Sequence, residues 1–237
     1  MRIDKLLANM GYGSRKDVKA LVKKKRVTLN ELVVKDSGLK VDTEKDIVKV
    51  DDQVVIYKPF VYLMMNKPPG VVSATEDHRD KTVVDILTPE LQHFNPFPVG
   101  RLDKDTEGLL LLTNDGQLAH QLLSPKKDVG KTYYAKISGM VTDKEVELFS
   151  NGVTLDDGYK TKPAKLTIIA SGDISEIEIV ITEGKFHQVK RMFEAVGKKV
   201  VYLKRLSMGE LKLDSSLRLG EYRELTEEEL SYCQFIK

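Results

Sequence analysis

The stretch Gly100-Arg101-Leu102-Asp103-Lys104-Asp105-Thr106-Glu107-Gly108-Leu109-Leu110-Leu111-Leu112-Thr113-Asn114-Asp115-Gly116 joins a charged, glycine-bounded turn to four leucines. The leucine run predicts a buried strand, closed by the turn residues Asn114-Asp115-Gly116. Asp103 and Asp105 stand at the entrance to that strand. A carboxylate beside apolar chain must be paired or must shift its pKa. The plain reading is a solvated acidic turn next to a core strand. The sharper reading is a carboxylate positioned for chemistry, and the rest of the chain weighs between the two.

Outward from this strand, further strand patterns occur at residues 61–66, 132–137, 165–170, 176–182 and 200–205. Helical patterns stand between them at 82–86, 117–123, 143–150 and 187–196. Strands mixed with scattered helices, without regular alternation, predict an α+β domain on a largely antiparallel sheet. A change of pattern near residues 56–60 marks a linker. It separates a small module, residues 1–58, from a larger domain, residues 61–237.

In the small module, Ile3, Leu6, Leu7 and Met10 recur at i, i+3, i+4 and i+7, one apolar helix face. Gly11-Tyr12-Gly13 ends that helix, and Ser14 is a good N-cap for a second one. The second turns Val18, Leu21 and Val22 inward and Arg15, Lys16, Lys19, Lys23 and Lys24 outward. Short strands follow over residues 27–50. Of the twelve residues from Arg15 to Arg26, seven are basic and one is acidic. A charge run is often only a solvated face. Like charges at helical spacing repel, however, and phosphate binding accounts for the one-sidedness better.

Two more segments carry chemistry. Tyr133 and Tyr134 are neighbours in a strand pattern, so they point to opposite faces and only one can enter a given cleft. Val189, Met192, Phe193 and Val196 make one helix face, with Gly197 as the stop. Lys190 and Arg191 then lie in that helix's first turns, where the dipole disfavours cations by roughly 0.3–1 kcal/mol each. A carboxylate or a phosphate nearby would compensate.

Composition excludes several classes. The 237 residues are 41% hydrophobic and 31% charged, with a net charge of +2, which fits an ordinary globular protein. The single cysteine, Cys233, cannot form an internal disulfide and fits a reducing cytosol. No apolar stretch approaches the ~20 residues of a membrane span, and no secretory signal is visible. The acidic turn is no calcium loop: Asn114 stands where the bidentate Glu belongs, and a strand follows. His78, His93, His120 and His187 lack metal-ligand spacing. Paired carboxylates also serve glycoside hydrolysis, but the basic N-terminal module favours an RNA substrate.

The run from Gly100 to Gly116 resembles the catalytic motif of the RNA pseudouridine synthases, in the branch that modifies ribosomal RNA. Asn66-Lys67-Pro68-Pro69-Gly70 resembles the family's opening strand and turn, and Lys131-Thr132-Tyr133 its Lys-x-Tyr motif. Glu183-Gly184-Lys185-Phe186-His187-Gln188-Val189-Lys190-Arg191-Met192 resembles its third motif. The N-terminal helix pair and basic loop resemble the S4 RNA-binding module. The resemblance implies an active-site cleft across a mixed sheet with flanking helices. It makes Asp103 the essential carboxylate, Tyr133 the cleft tyrosine and Lys190 the partner of Asp103. Arg191 is expected on RNA backbone, and Arg101 is either a substrate contact or a structural partner of nearby acids. The implied reaction is an isomerisation that needs no redox cofactor, ATP or metal.

His187 to Phe193 and the adjoining Ala195-Val196-Gly197 are most similar to the small-subunit branch. The expected partner is therefore 16S ribosomal RNA, with no membrane, for a monomer in the cytoplasm. A large-subunit specificity is the first alternative, and a non-catalytic assembly factor the second. One departure stands out. Leu29-Asn30-Glu31 replaces the family's glycine-ended turn, so a less tight turn is expected there.

Overall fold

A computed structural model describes residues 1–124 and 127–235. The chain forms two compact units. The first is Met1–Val61 together with Thr88–Asn95, and the second is Tyr62–Leu87 together with Pro96–Lys237.

In the first unit, helices α1 (Ile3–Asn9) and α2 (Arg15–Lys23) accompany strands β1 (Val27–Leu29), β2 (Leu32–Val33), β3 (Val48–Val50) and β4 (Gln53–Val54). These strands form an antiparallel sheet in the order β2-β1-β3-β4. Ser14 caps α2 in a reciprocal box with Asp17: its Oγ accepts from the Asp17 amide at 3.3 Å, and its own amide donates to Asp17 Oδ2 at 2.9 Å. Ile3, Leu6, Leu7, Val18, Val22 and Val27 share one core, as their spacing requires. The later segment Thr88–Asn95, with the short helix α3 (Pro89–Gln92), joins this unit. There the ring Nε2 of His93 meets the Ala8 carbonyl at 2.9 Å.

The turn between β1 and β2 corrects the expectation of looseness. Asn30 and Glu31 form a two-residue loop with φ +49° and +68°, the left-handed backbone that the tightest hairpins need. Neighbouring groups hold it without a glycine. Asn30 Nδ2 donates to Asp46 at 2.8 Å, and Lys49 Nζ to Glu31 at 2.6 Å.

The second unit is built on a nine-stranded mixed sheet. Its strands are β5 (Tyr62–Lys67), β6 (Phe97–Val99), β7 (Glu107–Thr113), β8 (Lys131–Ser138), β9 (Lys165–Ala170), β10 (Ile174–Ile181), β11 (Lys199–Met208), β12 (Leu211–Lys212) and β13 (Tyr222–Glu224). The main path runs β13-β5-β7-β11-β8-β10-β9, with β6 on β7 and β12 on β11. The pairing of β7 with β11 is parallel; the other strand pairs of this sheet are antiparallel. Helices α4 (Gly116–Leu123), α5 (Asp143–Ser150), α6 (Gln188–Glu194) and α7 (Glu227–Gln234) flank it. Residues 82–86, which carry a helical pattern, form only a 3-10 turn at Val84–Ile86.

All four leucines of β7 are buried. Leu109 and Leu111 pack with Leu118, Ala119 and Leu122 of α4 and with Cys233 of α7. A strand covered on both faces reads as an unbroken apolar run. Strands β6, β12 and β13 and helix α7 have no counterpart in the sequence reading. The strands are two or three residues long, too short to show a period, and α7 buries a single residue, Cys233. Among the described residues no helix is long and apolar enough to cross a membrane.

Candidate active site

The turn before β7 is held from three sides. Ser73 Oγ donates to the Leu102 carbonyl at 2.9 Å and accepts from the Leu102 amide at 3.1 Å. The Gly70 amide donates to the Lys104 carbonyl at 2.7 Å. Beneath it lies Lys67, fully buried, with Nζ donating to the carbonyls of Pro68 (2.9 Å), Thr106 (2.8 Å) and Lys104 (3.3 Å). Burial pushes this ammonium down to about 8, against the attraction of Asp105, Asp103 and Glu107. A lysine without accessible surface is tolerated only when its donors are used, and here they gather the carbonyls of the acidic turn. In the sequence Lys67 reads as part of a strand and turn, with nothing local to mark this task.

Gly108 fixes the next step. It stands at φ +101°, opposite Arg205 in the parallel pairing, and an added Cβ would come 2.2 Å from the Arg205 carbonyl oxygen. Only glycine lets β11 approach the turn this closely.

Lys190, in the first turn of α6, puts Nζ 3.0 Å from Asp103 Oδ2 and 2.6 Å from Asp105 Oδ1. Burial works against its charge, yet the bonds it donates to Asp105 and Asp103 outweigh this and leave its pKa raised. One cation thus serves two carboxylates. They differ sharply in exposure: the Asp103 side chain is 25% accessible and that of Asp105 74%. His187 adds its Nε2 at 3.5 Å from Asp103 Oδ1. These carboxylates also answer the unfavourable dipole at the start of α6.

A cavity of about 570 Å³ opens beside Asp103, lined also by Arg101, Lys131, Tyr133, Phe186 and Arg205. Its size lies within the ~300–1,000 Å³ of small-ligand sites. Tyr133 enters this cavity and is nearly buried, at 8%. Tyr134 takes the other face, where its hydroxyl donates to Glu176 Oε2 at 2.6 Å; that bond pushes its pKa up to about 12. Arg101 is exposed at the cavity, with no ion pair among the described residues.

Arg191 follows Lys190 in α6. Its guanidinium pairs with Asp156 and Asp157, with NH2 2.6 Å from Asp157 Oδ2 and Nε 2.7 Å from Asp156 Oδ1. Both aspartates are largely exposed, so this cation stands at the surface with acidic neighbours. Arg205 is a site residue that sequence reading missed. It is buried in the cavity wall, with Nε donating to the Leu109 carbonyl at 2.8 Å. A basic residue in an apolar strand pattern reads as a surface position, so nothing local marks it. Arg15, Lys16, Lys19, Lys23 and Lys24 are exposed on and just after α2, as their spacing predicts. Among the described residues no cluster of His, Cys, Asp and Glu has the arrangement of a metal site.

Comparison with known proteins places the chain in a family. Residues 61–195 match the family described as RNA pseudouridylate synthase, and residues 1–48 match the S4 domain. An uncharacterized RNA pseudouridine synthase of Bacillus subtilis (strain 168) is 59% identical over 232 residues, with 97% of each chain covered. The ribosomal large subunit pseudouridine synthase B of the same organism is 39% identical, covering 97% of this chain and 93% of its own. The ribosomal small subunit pseudouridine synthase A of Yersinia pestis is 38% identical, covering 98% and 97%. A crystal structure of a pseudouridylate synthase matches with a TM-score of 0.69 at 35% identity, covering 98% of this chain and 99% of that one.

Proposed function

Because the chain belongs to the RNA pseudouridylate synthase family and carries an S4 domain, we propose that it converts one uridine of 16S ribosomal RNA to pseudouridine, with Asp103 as the catalytic carboxylate. The observation that carries this reading is the placement of Asp103. It sits at the rim of a nucleotide-sized cavity, paired with Lys190, on a turn tied down by Lys67 and Ser73.

The reaction breaks the N1–C1′ bond of uridine, turns the base and joins C5 to C1′. The C5 proton leaves and N1 gains one, so atoms balance without any co-reactant. Asp103 serves as nucleophile on the nucleotide or as base on the ribose. In either role the Lys190 ammonium, 3.0 Å away, stands as its counter-ion. The Tyr133 ring stacks on the base, and its phenol assists loss of the C5 proton. Arg101 contacts the substrate strand from the cavity rim. A target base must leave its stack to reach a site of this depth.

Identity with large-subunit and small-subunit relatives is nearly equal. The choice of 16S RNA rests on the segment from His187 to Phe193. Separate incubation with 16S and 23S RNA, followed by pseudouridine mapping, tests it. A new pseudouridine in 16S RNA alone is the expected result; modification of 23S RNA alone assigns the large subunit, and none in either overturns the reading. The enzyme is further proposed to act as a monomer in the cytoplasm, where ribosomal RNA matures, and the buried free thiol of Cys233 fits that compartment.

Arg15, Lys16, Lys19, Lys23 and Lys24 are proposed to supply affinity through phosphates. Changing Arg15, Lys16 and Lys19 to Gln is expected to weaken RNA binding and flatten its salt dependence. Each lost phosphate contact lowers the log–log slope by roughly 0.7–0.9. Turnover at saturating RNA persists. Binding across a salt series with single-turnover rates checks this, and an unchanged slope refutes it.

A further inference from the structure

The cavity wall carries an aromatic pair that the chemistry above leaves unused. Phe186 is 75% exposed. Its ring stacks on His187, with centroids 3.7 Å apart and planes inclined by 19°. The imidazole in turn reaches toward Asp103 through Nε2. One exposed phenylalanine on an ordinary surface needs no explanation. This one lines the cavity that holds the catalytic carboxylate.

The loop is also built to present the ring rather than to bury it. The Lys185 amide donates to Gln188 Oε1 at 2.9 Å, and the Gln188 amide returns to the Lys185 carbonyl at 3.2 Å. Gln188 Nε2 is fixed on Glu183 Oε1 at 2.6 Å. His187 stands in the left-handed region at φ +50° and makes no side-chain cap to α6. Closed on itself in this way, the loop has little freedom to fold Phe186 inward. The inner face of the phenyl ring is occupied by His187 and the outer face is bare.

We infer that Phe186, backed by His187, is the platform on which a nucleobase adjacent to the target uridine stacks when that uridine enters the cavity. The inference rests on the reading of the site as a pseudouridine synthase acting on RNA. Withdrawing a base from its stack leaves the face of a neighbour uncovered. An exposed, pre-positioned aromatic ring restores that contact for any base, since every base has a π-face. Phe186 is one ring removed from the carboxylate, so it suits the neighbour rather than the reacting uridine.

The test uses an RNA fragment spanning the mapped uridine, and the same fragment made abasic on its 5′ or its 3′ side. On intact RNA, Phe186→Ala is expected to raise Kd and KM by roughly 5- to 150-fold. Saturated turnover stays close to that of the parent, and Phe186→Tyr restores affinity. On the fragment abasic at the stacking side, the parent protein loses the same affinity and Phe186→Ala loses nothing further. An unaltered Kd on intact RNA, or an equal penalty on all three fragments, overturns the platform. Failure of the platform leaves pseudouridine formation by the parent intact; failure of the proposed function abolishes it.

Discussion

Asp103→Asn is expected to fold as the parent does and to lose essentially all pseudouridine formation, by at least about 10³-fold, on the order of 4 kcal/mol of transition-state stabilisation. The amide keeps the shape of the carboxylate but is neither a nucleophile nor a useful base. Lys190 still has Asp105 at 2.6 Å, so the fold does not acquire an unpaired buried cation. Asp105→Asn is the matched control. That side chain is largely exposed, and its loss leaves Asp103 with Lys190 at 3.0 Å, so substantial activity remains. Thermal unfolding midpoints and pseudouridine yield on ribosomal RNA are the measurements. Normal turnover by the Asp103 variant would displace the catalytic centre from this turn.

Lys190→Met carries the second large effect. It removes the cation that Asp103 and Asp105 share, leaving two carboxylates on one short turn to repel each other. Lys190 is the preorganised electrostatic partner of the reacting carboxylate, and losing such a partner is expected to lower turnover by roughly 10²-fold, about 2.7 kcal/mol of activation free energy. Lys190→Arg preserves the charge and is expected to retain much more activity, although the planar guanidinium must divide itself between two acids. Single-turnover rates on saturating RNA separate this effect from binding. Equal rates for Lys190→Met and the parent would show the pair to be structural only.

Much of this site was legible in the chain because its parts are local. The alternation around Tyr133 and Tyr134 sends one ring to each face of β8, whatever the rest of the fold does. In the other unit, Ser14 opens α2 as an N-cap from within a single turn. The apolar spacing of Val189, Met192 and Phe193 places Lys190 on a known turn of a helix, though not what it would touch.

Sequence by itself determined the buried strand at Leu109–Leu112, the turn that carries Asp103, the basic face of α2 and the family to which these motifs belong. The strand, the turn and the basic face follow from residue type and short spacing; the family follows from the resemblance of the motifs. Tertiary structure alone decided that Lys190 divides itself between Asp103 and Asp105, 85 residues away from the latter. It also decided that Arg191 pairs with Asp156 and Asp157. Lys67 and Arg205 likewise became buried donors to carbonyls 39 and 96 residues distant. A charged side chain carries no local sign of its partner. Which acid neutralises it, and whether it is buried, depends on how strands far apart in sequence meet in the sheet.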